Sequence, residues 1–368
     1  MKVPFVDLYE QYLTIKEEID NAISTVIFNS DYIGGKYHKE FGKNFSELYG
    51  IKNFIGVANG TDAIYIILKM LGISQGDEVI TVSNSWISTS ETISQTGAVP
   101  VFVDIDPEYY TIDENKIREK ISSKTKAIIP VHLYGQVCNI EAVKKICDEY
   151  NLFLIEDCAQ SHFSEFNGKF AGTFGTAATF SFYPGKNLGA YGDAGGIITN
   201  DDELAQKCRM FANHGCLKKH HHEIEGINSR LDGIQAGILN VKLPHLKEWT
   251  DKRISNASKY SEYLNGVGDI IVPKVRPNSK HTFHLYVIRT KHRDSLQNFL
   301  NENGVSTAIH YPRILPSLPA YNYLNCNLEE FKISGQYQNE ILSLPMFPEL
   351  SSEQLEYVIQ TIKKFFNN

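Results

Sequence analysis

The sequence predicts an α/β fold, a large domain on a mostly parallel sheet followed by a smaller α+β unit. Three observations predict it. Between residues 50 and 200, short continuously apolar runs alternate with stretches whose apolar residues recur at helical spacing, which marks strands covered on both faces by helices. Beyond residue 200 a long helical stretch gives way to shorter mixed runs. The chain has 368 residues, 42% of them hydrophobic and 21% charged, enough to bury one large core and a second smaller one.

The first strand is FIGVA (54–58). It leads into GTDAIYIILKMLG, where Ile64, Ile67, Leu68 and Leu71 stand at i, i+3, i+4 and i+7 and so share one helix face. EVITV (78–82), PVFVDI (100–105), KAIIPVHLY (126–134) and LFLIED (152–157) are four further strands. Between them lie a Ser/Thr-rich helix starting at Trp86 and a helix over IEAVKKICDEY (140–150). ATFSFY (178–183) and GGIITN (195–200) close the sheet. The helical stretch from Ser229 to Leu264 contains Pro244, which lacks an N–H and clashes with the preceding turn, so the helix breaks or kinks there. DIIVPKV (269–275), HTFHLYVIRT (281–290) and VSTAIHYP (305–312) read as strands, and 292–303 as a helix. SSEQLEYVIQTIKKFF reads as a last helix capped by Ser351 or Ser352. The boundary is expected near residue 250, dividing a large domain, 1–250, from a small one, 251–368.

A net charge of −7 gives no electrostatic case for a nucleic-acid or anionic-membrane partner. No run approaches 18 unbroken apolar residues, and the opening MKVPFVDLYEQYLTIKEEID lacks the apolar centre of a signal peptide. A cytoplasmic protein is expected. Its six cysteines form no CxxC pair, which suits reduced thiols.

SFYPGKNLGAYGDAGG (181–196) places Lys186 before a series of glycines. A nucleotide P-loop needs glycine at 180 and Ser or Thr at 187, and the chain has Phe180 and Asn187. A dinucleotide fingerprint fails too, for GAYGDAGG has no GxG and lies between two strand-like runs. A better phosphate site is ANGTDAIYII. There Gly60 permits close backbone approach, and Thr61 and Asp62 start a helix whose free N–H groups favour an anion. Alternatively, Thr61 or Asp62 simply caps that helix. Asp157 ends a buried strand at the expected carboxyl edge of the sheet, where ligands of such folds sit, and a buried carboxylate needs a cationic or hydrogen-bonding partner. Gln160 and His162 follow it. Trp86, near a third strand end, is either a plate for a flat ring or part of the core. A phosphate turn, an aromatic plate, an acid and a lysine are the parts that pyridoxal 5'-phosphate requires: an amine to bond its aldehyde and a carboxylate to keep its ring nitrogen protonated.

In this order NGTDA (59–63), PVHLYGQ (130–136), EDCAQSH (156–162), SFYPGKNLGAYGDAGG and NSRLDGIQAGIL (228–239) resemble the DegT/DnrJ/EryC1/StrS family of pyridoxal-phosphate sugar aminotransferases. The resemblance runs from VPFVDL near the start to SLPMFPELSSEQLEYVI near the end. It implies fold type I, the aspartate-aminotransferase-like architecture, and a homodimer with shared active sites. It further implies that Lys186 is the covalent anchor and proton-transfer base, that Asp157 faces the pyridine nitrogen, that Trp86 stacks on the ring and that Gln160 lies near its phenolic oxygen. Gly60, Thr61 and Ser181 would hold the phosphate, with Asn228 reaching it from the second subunit. Asn228 is otherwise a helix cap, and His162 is either near the ring or a hydrogen-bonded strand-end histidine.

The implied reaction moves an amino group from L-glutamate to a keto group of a nucleotide-linked sugar, with pyridoxamine 5'-phosphate between the two halves. Tyr183 and Pro184 precede the lysine where C-4 aminotransferases of the family more often carry His-Ala. The resemblance therefore points to C-3 of a dTDP-3-keto-6-deoxyhexose, with a C-3 or C-4 aminotransferase of another UDP- or dTDP-linked keto sugar as the alternative. Two departures stand out: Ala194 replaces a usual glycine, and HYPRILPSLPAY (310–321) replaces an HYPxPLH-like segment. His310, Tyr311 and Arg313, with Tyr183, are candidate substrate contacts. The His220–His222 run is a lid, a solvated turn or, least expected, a metal site. A sugar dehydratase on the same fold is disfavoured by lysine, rather than histidine, at 186. A non-catalytic regulator binding the cofactor or a nucleotide sugar is the rival of another class, and the acidic charge disfavours a DNA-binding role for it.

Overall fold

The computed structural model describes residues 1–367. Three helices open the chain, α1 (Leu8–Thr14), α2 (Lys16–Asn29) and α3 (Gly35–Tyr49). In α3 the buried rings of Phe41, Phe45 and Tyr49 recur every four residues, so they line one helix face. They meet Phe54, Phe180 and Phe182 at centroid distances of 5.1–5.6 Å. Each such pair contributes about 0.5–1.5 kcal/mol beyond its buried area. The cluster supports the strand that leads to Lys186.

The central sheet has seven strands: β1 (Asn53–Val57), β2 (Glu78–Val82), β3 (Val99–Val103), β4 (Thr125–Ile129), β5 (Phe153–Asp157), β6 (Ala177–Ser181) and β7 (Gly195–Thr199). Their spatial order is β1-β7-β6-β5-β4-β2-β3. All neighbours are parallel except at β7, which runs antiparallel to β1 and β6. Helices α4 (Gly60–Met70), α5 (Ser88–Gln95), α6 (Ile140–Tyr150) and α7 (Asp202–Phe211) connect or follow these strands. Ile64, Ile67 and Leu68 of α4 and Leu204 and Cys208 of α7 bury one sheet face with Val57, Ile129, Ile155 and Ile197. The other face, with Ile80, Ile128, Leu154 and Phe180, packs on α3 and α6.

The break at Pro244 is as expected. Helix α8 (Gly233–Lys242) ends before it, a 3₁₀ turn spans Leu243–His245, and α9 (Leu246–Leu264) follows. Residue 250 lies inside α9. The C-terminal part has β8 (Tyr286–Arg289), α10 (Arg293–Glu302), α11 (Lys332–Tyr337), β9 (Ile341–Leu344) and α12 (Ser352–Asn367). Strands β8 and β9 pair antiparallel, and a core of Tyr260, Tyr286, Ile288, Leu300, Leu344 and Val358 surrounds them. Ser351 is the cap of α12. Its Oγ accepts from the Gln354 amide (3.1 Å) and Gln354 Oε1 accepts from the Ser351 amide (3.0 Å), a reciprocal capping box.

Two expected strands are corrected. DIIVPKV forms only the bridge Ile271–Arg289, and VSTAIHYP only the bridges Val3–Val305 and Ala308–Ser343. Pro273 and Pro312 each remove a ladder donor, which fits short bridges rather than strands. KAIIPVHLY likewise stops at Ile129, before Pro130. The helix expected from Trp86 begins at Ser88.

Candidate active site

The carboxyl edge of the sheet gathers the chemistry. Asp157 is the last residue of β5 and is buried. One carboxylate oxygen accepts from Thr89 Oγ1 (2.9 Å) and the other from the Ala159 amide (3.1 Å). Burial raises its pKa, opposed by those two bonds and by the charge of Lys186. Two neutral donors leave the carboxylate receptive to a cation.

The turn at 58–62 is beside it. The cap of α4 is Asn59, whose Oδ1 accepts from the Asp62 amide (2.7 Å). Neither Thr61 nor Asp62 is the cap, which corrects that alternative. Thr61 Oγ1 instead bonds Ser88 Oγ at 2.7 Å, joining the starts of α4 and α5. Gly60 faces the end of β6 so closely that a Cβ there would lie 2.8 Å from Ser181 Cβ. Helix start, glycine and the hydroxyls of Thr61, Ser88 and Ser181 are suited to hold a phosphate.

Lys186 follows β6 in a turn fastened by the bond from its own amide to the Tyr183 carbonyl (2.8 Å). Withdrawal from water pushes its pKa down to about 8, with Asp157 pulling the other way. Its amine opens on a cavity of about 260 Å³ lined by Gln160, Tyr183, His284, His310 and Tyr311. Gln160 is buried, accepting from the Tyr134 amide (2.7 Å) and donating to the Tyr311 hydroxyl (3.0 Å). His310 Nδ1 pairs with Ser343 Oγ at 2.9 Å, and its pKa is pushed down to about 4 by burial and then by Lys186. Trp86 is 59% exposed, its ring 5.7 Å from that of Tyr311 at the rim. Tyr183 and Arg313 are exposed.

His162 is fully buried against Phe180 and Phe182. Neither ring nitrogen has a well-formed hydrogen-bond partner among the described residues, although the Ser181 backbone favours its charged form. Burial, then Lys186, pushes its pKa down to about 3 and keeps it neutral. Asn228 is exposed and is not a helix cap, for the cap residue of α8 is Asp232. Its neighbour Ser229 donates to Asp62 Oδ2 (2.7 Å) and accepts from the Ala58 amide (3.0 Å), fastening this segment to the phosphate turn.

The His220–His222 run is exposed and forms a tight turn closed by a Lys218–His221 bridge. Among the described residues the cluster with metal-ligand spacing is elsewhere, at His132, Glu156 and Cys158. There the Glu156 carboxylate already takes the amides of Gly172, Phe174 and Gly175 and His132 Nε2, at 2.7–3.0 Å. That is a folding pin.

Sequence reasoning missed Thr89, Ser88 and His284. The first two stood in view in the Ser/Thr-rich stretch after Trp86. His284 lines the cavity and bonds Asn187 Oδ1 through Nδ1 (3.2 Å); nothing in its local pattern marks it.

These residues fit a pyridoxal phosphate: a helix start with a glycine and three hydroxyls for its phosphate, a buried carboxylate short of a cation, and a lysine whose amine is already pushed toward neutrality. Fold and site define a pyridoxal-phosphate-dependent transaminase of fold type I. The chain belongs to the DegT/DnrJ/EryC1/StrS aminotransferase family, which it matches over residues 13–363. It is 46% identical, over the whole of both chains, to the "Pleiotropic regulatory protein" of Geobacillus stearothermophilus. It is 43% identical, over 99% of each chain, to the dTDP-3-amino-3,6-dideoxy-alpha-D-galactopyranose transaminase of Aneurinibacillus thermoaerophilus. Other relatives are named for UDP- and GDP-linked sugars. Its fold matches the crystal structure of S. venezuelae DesV in complex with a ketimine intermediate at a TM-score of 0.97, with 36% identity over 100% of this chain and 99% of that one.

Proposed function

We propose that the protein carries an amino group from L-glutamate to the keto group of a nucleotide-linked sugar, at C-3 of a dTDP-3-keto-6-deoxyhexose. The product is then a 3-amino-3,6-dideoxyhexose nucleotide. The observation that carries the reading is the charge interaction between Lys186 and the buried Asp157, with Lys186 lining a cavity together with Gln160, Tyr183, His310 and Tyr311. The name of the Aneurinibacillus relative and the Tyr183-Pro184 pair before the lysine support the C-3 assignment. The regulatory name of the Geobacillus relative favours no other reading here, because this chain retains the lysine, the acid and the cradle together.

When bound, the cofactor supplies an aldehyde for covalent linkage and a cationic ring that draws electrons from the carbon bearing the amine. Gly60, Thr61, Ser88 and Ser181 would hold its phosphate, and Asp157 would hold the proton on its ring nitrogen. Trp86 would cover the ring, and Gln160 would serve its phenolic side. Lys186 Nζ, once free and neutral, takes the α-proton of the donor and returns a proton to the sugar carbon in the mirror half. Glutamate leaves as its 2-oxo acid and the ketone becomes an amine. His310, Tyr311 and Tyr183 contact the sugar, and exposed Arg313 meets the pyrophosphate. A second copy of the chain completes the site with Asn228, in a cytoplasmic homodimer.

The test is incubation with L-glutamate and a panel of dTDP- and UDP-linked 3-keto and 4-keto sugars, with mass and NMR analysis of the products. A 3-amino dTDP-sugar is expected. Amination at C-4 overturns the regiochemistry, and preference for a UDP-sugar overturns the nucleotide.

A further inference from the structure

We propose that α8 is a clip that positions Lys186, with Gln235 and Lys242 as its two jaws. The inference rests on Lys186 as the cofactor-bearing lysine. Seven residues separate Gln235 from Lys242, two helical turns, so both project from one face of α8. Each grips the glycine-rich segment that follows Lys186. Gln235 Oε1 accepts from the Tyr191 amide (2.9 Å), and its Nε2 lies 2.8 Å from where a Cβ on Gly192 would stand. Lys242 Nζ donates to the Gly189 carbonyl (2.8 Å) and lies 4.3 Å from the centre of the Tyr191 ring.

The gripped segment closes on itself around the lysine. A Cβ on Gly189 would stand 2.2 Å from the Pro184 carbonyl oxygen, so only glycine lets the two legs of the turn touch. The Ala190 amide donates to the Phe182 carbonyl (2.8 Å) across its base. Holding Gly189 and Tyr191 therefore fixes both legs, with Lys186 between them. The reach of a long side chain into a reactive cavity depends on where its Cα is held.

Lys242 is 1% exposed. A buried ammonium is costly unless its donors are met, and a methionine of similar length would fill the same space without that cost. What the ammonium adds is a charge-assisted bond to one carbonyl of the Lys186 turn. Its position in the last turn of α8 also suits a cation.

The experiment compares Gln235→Leu, Gln235→Glu, Lys242→Met and the unaltered protein, each with and without pyridoxal phosphate. Gln235→Glu keeps the acceptor for the Tyr191 amide. Three readouts are taken: amide hydrogen exchange of the 183–192 peptide, the dissociation constant for the cofactor, and kcat against KM. In Gln235→Leu and Lys242→Met, exchange in that peptide should rise roughly tenfold or more, the size expected for one lost charged or buried hydrogen bond. Cofactor binding should weaken, and kcat should fall more than KM rises. Gln235→Glu should retain most of the native protection. Unchanged exchange at 183–192, or a rise spread evenly over the whole chain, overturns the clip. If Lys242→Met does not fold, the Gln235 pair alone decides. Borohydride reduction followed by peptide mapping separates the two readings: cofactor recovered on a lysine other than 186 overturns the active-site assignment, whereas recovery on Lys186 with unchanged exchange overturns the clip alone.

Discussion

Asp157 is buried and Lys186 half-buried, each is shifted toward its neutral form, and the signs of the two effects can be followed separately. Asp157 has a raised pKa in the fold, so its contribution to stability is complete below the unfolded value and is lost as pH rises through the folded one. The pyridine nitrogen of the bound cofactor would supply the cation that its ionised form lacks. Asp157→Asn is therefore expected to leave the melting temperature of the cofactor-free protein unchanged or higher, while lowering kcat by on the order of 100-fold or more. A clear loss of stability in the cofactor-free variant would show that the carboxylate is structural. Lys186, with its pKa pushed down to about 8, disfavours the fold while charged and ceases to do so as pH rises from about 8 toward 10.5. Its amine attacks an aldehyde only when neutral. Uptake of pyridoxal phosphate by the cofactor-free protein should accelerate with pH and level off above about 8, and Lys186→Ala should fold yet transfer no amine. A pH-independent uptake rate, or normal turnover in that variant, would contradict the assignment. Asp157 was legible in the sequence because it ends a recognisable strand, and Lys186 because it stands between such a strand and a series of glycines. His284 was not, because it enters the cavity through tertiary packing alone.

At the scale of elements, the phosphate cradle depends on β7 pressing against the start of α4. A Cβ on Gly195 would stand 2.3 Å from the Asn59 carbonyl carbon and 2.4 Å from its oxygen. Backbone cannot yield as a flexible side chain does, so Gly195→Ala is expected to destabilise the protein by about 1–3 kcal/mol. Because the displaced residue is the cap of α4, cofactor affinity should fall as well, measured by fluorescence titration. Wild-type affinity in a stable Gly195→Ala protein would refute the coupling. The same comparison explains which elements the sequence discloses. Strands β1 to β6 are continuously apolar and bounded by turns, so local pattern suffices for them. The antiparallel direction of β7 is set by a long-range partner, and so is the pairing of β8 with β9 across about fifty residues of chain; neither leaves a periodic trace. DIIVPKV and VSTAIHYP carry strand-like composition, but proline limits them to single bridges.

At the scale of the molecule, the exposed apolar side chains of the N-terminal helices and the loop after them include Tyr9, Leu13, Ile27, Tyr32, Ile33 and Phe28, the last 87% exposed. Such a concentration on a chain with net charge −7 is a surface suited to a partner. Ile33 bridges Asp232, four residues past Asn228, so the apolar stretch reaches the segment proposed to enter the second subunit's site. In a two-fold dimer each site then takes Lys186 from one chain and Asn228 from the other. This geometry has a consequence that no arrangement with self-contained sites shares. A Lys186→Ala chain and an Asn228→Asp chain, each nearly inactive alone, are mixed and allowed to exchange subunits. Half of the dimers formed at random are hybrids, and in each hybrid one site carries both defects and the other carries neither. Activity should recover to about a quarter of the wild-type value by this counting, with a dimer mass in solution. If the sites were self-contained, every chain in the mixture would keep its own defect, and activity would stay at the level of the inactive parents however long exchange proceeded.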